Sequence, residues 1–386
     1  MKRVLRDERG MALAVAIFAL VVVGAMVAGA FFAGNQEQRV GENSRRLAES
    51  FGVAEGALNE IMKGWNPKTY NRMGTYPTDS MIFTNVATGG GTGSYSGTIK
   101  RLNDEVYFVD MTGSDKASAS GKVYGGGARQ RLGMLFRIRV VDMKIGAALT
   151  TRGAVKLAGN AMVNGRDAVP PYWNTNYCDT IGDTTKAGVR APDSVVTETG
   201  SGSHLDGNPP FNKDTSIHVS TFTQFGDVSY AQLAASANIT IPGGNYRTQP
   251  VVSGTTCNTT VNTNWGDGMD PSLPCGNWFP VIHVTGDITL NGDQGQGILL
   301  VDGDLQIQGS YQFFGVVLVQ GSLSTAGGGS TDAHIYGAVM AENVDLELNS
   351  LSGNATLQYS KCAVTNAMEM TQTVTPVRQR SWSQLF

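Results

Sequence analysis

The sequence predicts a mainly β fold led by one long N-terminal α-helix. A small antiparallel sheet follows, and then a β-helix or solenoid with an irregular insertion. Three observations predict it. Residues 11–35 carry no charge (MALAVAIFALVVVGAMVAGAFFAGN). Glycine is frequent, 49 of 386 residues, and charged residues are only 16%, against about 7% and about 25% in average soluble domains. Near the C-terminus, one glycine-led apolar pattern recurs several times.

Residues 1–10 form a short basic leader in which Lys2, Arg3, Arg6 and Arg9 outnumber Asp7 and Glu8, and it closes on Gly10. The apolar run that follows, about 23 residues, is long enough to cross a hydrocarbon core of about 30 Å as a helix. A secretory signal would have a core of roughly 7–15 residues with its cleavage site after it. Here the processing point, between Gly10 and Met11, comes before the run, so the hydrophobic helix stays on the mature chain. The basic flank places the leader in the cytoplasm. The bulk then faces the periplasm or exterior, where disulfides form.

Helical periodicity continues to residue 62. Val40, Leu47, Phe51, Ala54, Leu58 and Ile61 form one stripe, with Arg39, Glu42, Arg45, Arg46, Glu49 and Glu55 mostly off it. The spacing predicts one helix over 11–62, its first half in lipid and its second half packed on a globular domain. Gly24, Gly29, Gly34 and Gly41 are points where it is expected to bend or melt locally. The pattern ends at Gly64 and Pro67.

Residues 63–145 read as a β-rich head with strands near 97–102, 106–112 and 131–141. In the last, Leu132, Met134, Phe136, Ile138 and Val140 share one face, and Arg131, Gly133, Arg137 and Arg139 point mainly to the other. The repeat begins at Pro280, Gly297, Gly315 and Gly337, with an earlier copy from Ala148. Steps of about 17–22 residues match one coil of a solenoid, in which each coil buries its face only against its neighbours. Inward positions are Ile288, Leu290, Leu305, Ile307, Leu323, Leu346 and Leu348. The repeat glycines are expected at corners that need positive φ or close backbone approach. The solenoid therefore comprises 146–165 and 280–362, interrupted by an insertion over 166–279 and followed by a tail over 363–386 whose aromatic residues dock on the body. Of the four cysteines, Cys178, Cys257 and Cys275 lie in the insertion and Cys362 outside it. Three pairings are open, and the short loop makes Cys257–Cys275 the first expectation.

The N-terminal part resembles the type IV pilus PilX N-terminal family. The matching elements are the Glu8-Arg9-Gly10 junction, the apolar helix from Met11, the run EQRVGEN from Glu37, and Ala54-Glu55-Gly56-Ala57-Leu58. The stretch 137–165 also resembles the sheet-to-solenoid junction of large PilX-like proteins. The resemblance implies a pilin-like helix and head, removal of the leader after Gly10 by prepilin peptidase, and N-methylation of Met11. It implies an inner-membrane protein with a periplasmic C-terminal part that later joins other pilins and the pilus assembly machinery through its helix. Major pilins carry glutamate at the fifth mature position, where this chain has Val15. That departure points to a minor pilin or a pilin-like assembly component, not to a repeating subunit, and a head too large to repeat along a densely packed fibre places it at or near the tip.

Enzyme signatures are absent. There is no G-x-S-x-G, and the GGGTGS stretch from Gly89 lacks the Lys-Ser/Thr ending of a phosphate loop. His204, His218, His283 and His334 are scattered, with no metal-ligand spacing. Asp267 and Asp270 in WGDGMD read as a turn, since the twelve-residue calcium loop is missing. Asp287, Asp302 and Asp304 read as corner turn formers more readily than as the paired carboxylates of a glycosidase. Tyr311, Phe313 and Phe314 read as internal stacking. A net charge of −3 gives no reason to expect nucleic acid. The expectation is a non-enzymatic pilus component without cofactor or metal. The alternatives are an adhesin that binds a surface ligand through 166–279 and, behind it, a membrane-anchored solenoid enzyme.

Overall fold

With no proline between them, Arg9 to Lys63 form one 55-residue α-helix, about 82 Å at 1.5 Å per residue. The computed structural model describes residues 9–71, 73–88, 91, 93–115, 127–139, 143–153, 155–173, 178, 184–193, 196–199, 201–226, 228–326, 333–341, 350–351, 354–369, 371, 373–377 and 382–385. The fold is mainly β with this one long helix. The helix is continuous through Gly24, Gly29, Gly34 and Gly41. A glycine costs about 1 kcal/mol in a helix, too little to interrupt so long a hydrogen-bonded run.

The chain divides into two units, 1–138 with 374–386, and 139–373. In the first, strands β1 (Met81–Ala87), β2 (Gly93–Arg101), β3 (Val106–Asp115) and β4 (Arg129–Arg139) form an antiparallel sheet in sequence order. The C-terminus returns to it, with Trp382 opposite Met134 and Leu385 opposite Arg131. The end of the tail, Trp382–Leu385, is therefore a strand of the head, whereas residues 363–369 belong to a helix of the second unit. In β4, Leu132, Phe136 and Ile138 are buried, Met134 is half-buried, and Arg131, Arg137 and Arg139 are exposed. Gly133 is buried, unlike its expected partners, and Val140 lies outside the described residues.

The end of the long helix covers β2 and β3. Val53, Ala54, Ala57, Leu58 and Ile61 are buried there with Tyr95, Ile99, Tyr107, Val109 and Met111. Val40 and Leu47, expected in the same stripe, are 63% and 42% exposed. The amphipathic pattern is longer than the surface that receives it, and packing begins only near Ser50. Upstream, Glu42–Arg46 and Arg45–Glu49 ion pairs occupy the bare turns.

The second unit is a stack of parallel strands. Gly297, Gly315 and Gly337 lie side by side, as do Leu299, Val317 and Val339, so these repeats align in the register read from sequence. Residues 280–284 continue the ladder through Ile298 N donating to the Pro280 carbonyl and Asp302 N to that of Val284. Ile288, Leu290, Leu305, Ile307 and Leu323 are buried; Leu346 and Leu348 lie outside the described residues. A second ladder joins Ile288, Leu305 and Leu323. A third joins Phe313, Ile335, Leu357, Val163 and Leu205.

The insertion over 166–279 is not irregular throughout, and this corrects the sequence reading. Val339 pairs with Leu149, Leu149 with Val189, and Val189 with Phe211. At the other end Ile282 pairs with Ile239. The chain thus enters the stack in its middle at 147–151 and builds outward to Phe211–Lys213. It then restarts at the far end with Ile239–Thr248 and works back to the strand at which it began. Terminal layers have one neighbour and need less apolar surface. This explains why strands such as Val196–Thr199 (VTET) and His204–Asp206 (HLD) escape the repeat pattern.

Two disulfides are formed, Cys178–Cys362 and Cys257–Cys275. The first ties the segment after the earliest layer to the helix Lys361–Glu369 that follows the last one.

Candidate functional site on the N-terminal helix

Leu13, Val15, Ile17, Phe18, Leu20 and Val21 are each 55–73% exposed, and Val23, Met26, Val27, Phe31 and Phe32 continue the same surface. They lie on all sides of the helix, and a helix apolar all round is one built for lipid or for the core of a bundle. Fully burying such side chains is worth about 1.5–3 kcal/mol each. The eleven together therefore supply a driving force on the order of 15 kcal/mol or more for leaving water. The segment is long and apolar enough to cross a membrane, and the two disulfides are those of a chain with a part in an oxidising compartment.

Gly10 sits in the first turn of the helix. Met11 belongs to the same helix, its side chain lying outside the described residues. Val15 is 66% exposed on this bare surface. Cys257 and Cys275 are joined to each other in the other unit.

Sequence reading missed the residues that seat the helix on the head. A Cβ on Gly113 would lie 2.2 Å from the Ser50 carbonyl oxygen and 2.5 Å from the Ala54 nitrogen, and one on Gly93 would lie 2.9 Å from Val53 Cγ2. Strand glycines facing helix alanines let the two backbones approach. Nothing in either local pattern announces this, because the partners lie some forty to sixty residues apart. Beside the seat, Trp65 meets Tyr107 edge-on at 4.9 Å. Burial, then the Glu60 and Tyr70 charges, hold the Tyr95 hydroxyl above its ordinary range.

The other candidates have structural partners. Asp287 Oδ1 accepts the Asp304 N–H, and Asp304 Oδ1 accepts that of Ser322, each at 2.8 Å, so successive layers are pinned at one corner. Asp302 accepts the Tyr230 hydroxyl at 2.8 Å and lies 3.0 Å from His283 Nε2. This clamps the short helix Tyr230–Ala235 to the stack and, with burial as the larger cause, raises the Tyr230 pKa. Asp267 Oδ1 accepts from Asp270 N at 3.0 Å and Gln294 Nε2 at 2.8 Å, as a turn former does. Tyr311, Phe313 and Phe314 are buried, and Phe314 stacks between Trp173 and Tyr336. Among the described residues, no group of three His, Cys, Asp or Glu side chains is placed to hold a metal ion.

Comparison with family models, curated proteins and solved structures finds no match.

Proposed function

We propose that this chain is a PilX-like minor pilin, a non-enzymatic component that enters a type IV pilus or related filament near its tip. The observation that carries the proposal is the 55-residue helix, apolar all round over its first half and seated on an antiparallel sheet only at its end. Such a helix has two stable environments, a bilayer before assembly and a bundle of neighbouring pilin helices after it. Prepilin peptidase cuts after Gly10, and Met11 becomes the methylated N-terminus. The chain is held in the inner membrane with both β units in the periplasm until it is extracted into the filament. Val15 leaves position five without the carboxylate that would pair with a neighbour's amino terminus, which suits an initiating or capping subunit.

Mass spectrometry of purified filaments tests this reading. The expected result is a peptide that begins at N-methylated Met11, at a few copies per filament. A mature protein that keeps Met1, or one that has lost the whole apolar run, overturns it.

A further inference from the structure

An open cavity of about 460 Å³ in the second unit lies beside the junction of the helix Lys361–Glu369 with the strand Thr356–Tyr359. That volume is in the range of small-molecule sites, about 300–1,000 Å³. Lys144, Lys186 and Lys361 line it. None of the three ammonium groups has an ion-pair partner among the described residues, whereas nearby cations are neutralised. Arg190, also in the wall, is held by Asp214 through Nε at 2.8 Å and through its Nη2. Asp167, next to this wall, accepts the Lys361 backbone N–H at 2.8 Å and the Thr184 hydroxyl, neutral donors that leave its own charge in place. Three lysines without a salt bridge among the described residues thus line one cavity, a wall that favours an anion.

Ile145, Val364 and Met368 add apolar lining, and Thr365 adds a hydroxyl. Tyr359 also lines the cavity, and burial pushes its pKa up to about 12, so its hydroxyl keeps its proton at physiological pH.

We propose that this cavity binds a phosphomonoester with an apolar body, the phosphate among Lys144, Lys186 and Lys361 and the body against Ile145, Val364 and Met368. Lysine ammonium groups suit phosphate as mobile point charges, and the one planar guanidinium in the wall is already taken. The chemistry is shared by a soluble phosphate ester and a lipid headgroup, and the cavity is independent of the helix in the other unit.

The test is calorimetric titration of the full chain in neutral detergent with three probes: inorganic phosphate, phenyl phosphate and a short-chain phosphatidic acid. Saturable binding of one phenyl phosphate per chain is expected, weaker for inorganic phosphate and weakened by salt. Lys186→Gln and Lys361→Gln should each raise Kd about tenfold, the loss of one charge contact. Lys156→Gln, exposed on a strand outside the cavity, should leave it unchanged, and thermal melts of all variants check folding. Tighter binding of the lipid assigns the site to a membrane phosphate, and tighter binding of phenyl phosphate to a soluble ester. No saturable binding of any probe, or binding untouched in the folded Lys186→Gln and Lys361→Gln variants, overturns the proposal.

Discussion

Replacing Gly315 by alanine should destabilise the second unit by about 3 kcal/mol, and the reason can be worked from two separate terms. Gly315 has φ +140°, and its neighbours in the ladder, Gly297 and Gly337, have φ +108° and +145°. Holding a side-chain-bearing residue in such a region costs about 1–3 kcal/mol. The second term is steric. The new Cβ would lie 2.1 Å from the Gly297 carbonyl oxygen, where real contacts exceed about 3 Å, and both partners are backbone within a parallel ladder. Relief requires opening ladder hydrogen bonds at about 1 kcal/mol each. Gly254→Ala is a positive-φ control without crowding, because Gly254 has φ +62° with nothing within 4 Å of its Cβ position, and there the cost should be about 1–2 kcal/mol. Thermal unfolding followed by circular dichroism is the assay. In a unit of this size about 2–4 °C accompanies each kcal/mol, so Gly315→Ala should melt roughly 6–12 °C below the parent. Equal melting of the Gly315 and Gly254 variants would refute the close approach of layers as the reason for this glycine column.

Three further outcomes follow from the packing and charges. Loss of the Cys178–Cys362 bond, with separation 184, should destabilise more than loss of Cys257–Cys275, with separation 18; chain entropy gives about 5 against about 3 kcal/mol, readable in urea titrations of the paired serine variants. Gly113→Ala forces a Cβ into the helix backbone at Ser50 and Ala54. It should loosen the head by about 2–3 kcal/mol, seen as faster hydrogen exchange in β3 and the last turns of the helix. The Asp214 carboxyl is held down at about 2 by hydrogen bonds from Ser216 and by Arg190. A carboxyl with a lowered folded-state pKa contributes stability that is present above its unfolded value near 3.8 and lost as pH falls toward 2. Asp214→Asn should flatten acid unfolding across that window, and an unchanged acid limb would contradict the assignment.

How much of this was legible in the sequence differs by element, for physical reasons. An uncharged run is a local property, so the long helix can be read directly, and the 297, 315 and 337 repeats can be aligned because each carries its own glycine and apolar core. The length of helix that packs is not local. Val40 continues the stripe as well as Leu58 does, yet only the second is covered, because the sheet ends near Ser50. The layer order is harder still. The strands at 211–213 and 239–248 form opposite ends of the stack, and the seam pairs Val339 with Leu149, which no period in the sequence encodes. That seam changes what the second unit must do to fold. In a stack built in sequence order each layer can dock as it forms, and contacts stay local. Here the layer at 147–151 gains its second neighbour only when 337–341 arrives, nearly two hundred residues later, and closing so large a loop carries an entropy cost before any contact rewards it. The Cys178–Cys362 bond joins segments beside the two sides of that seam, so it constrains the same loop that the ladder must close. Its contribution should therefore appear chiefly in whether the middle of the stack forms, whereas Cys257–Cys275 acts on one short loop.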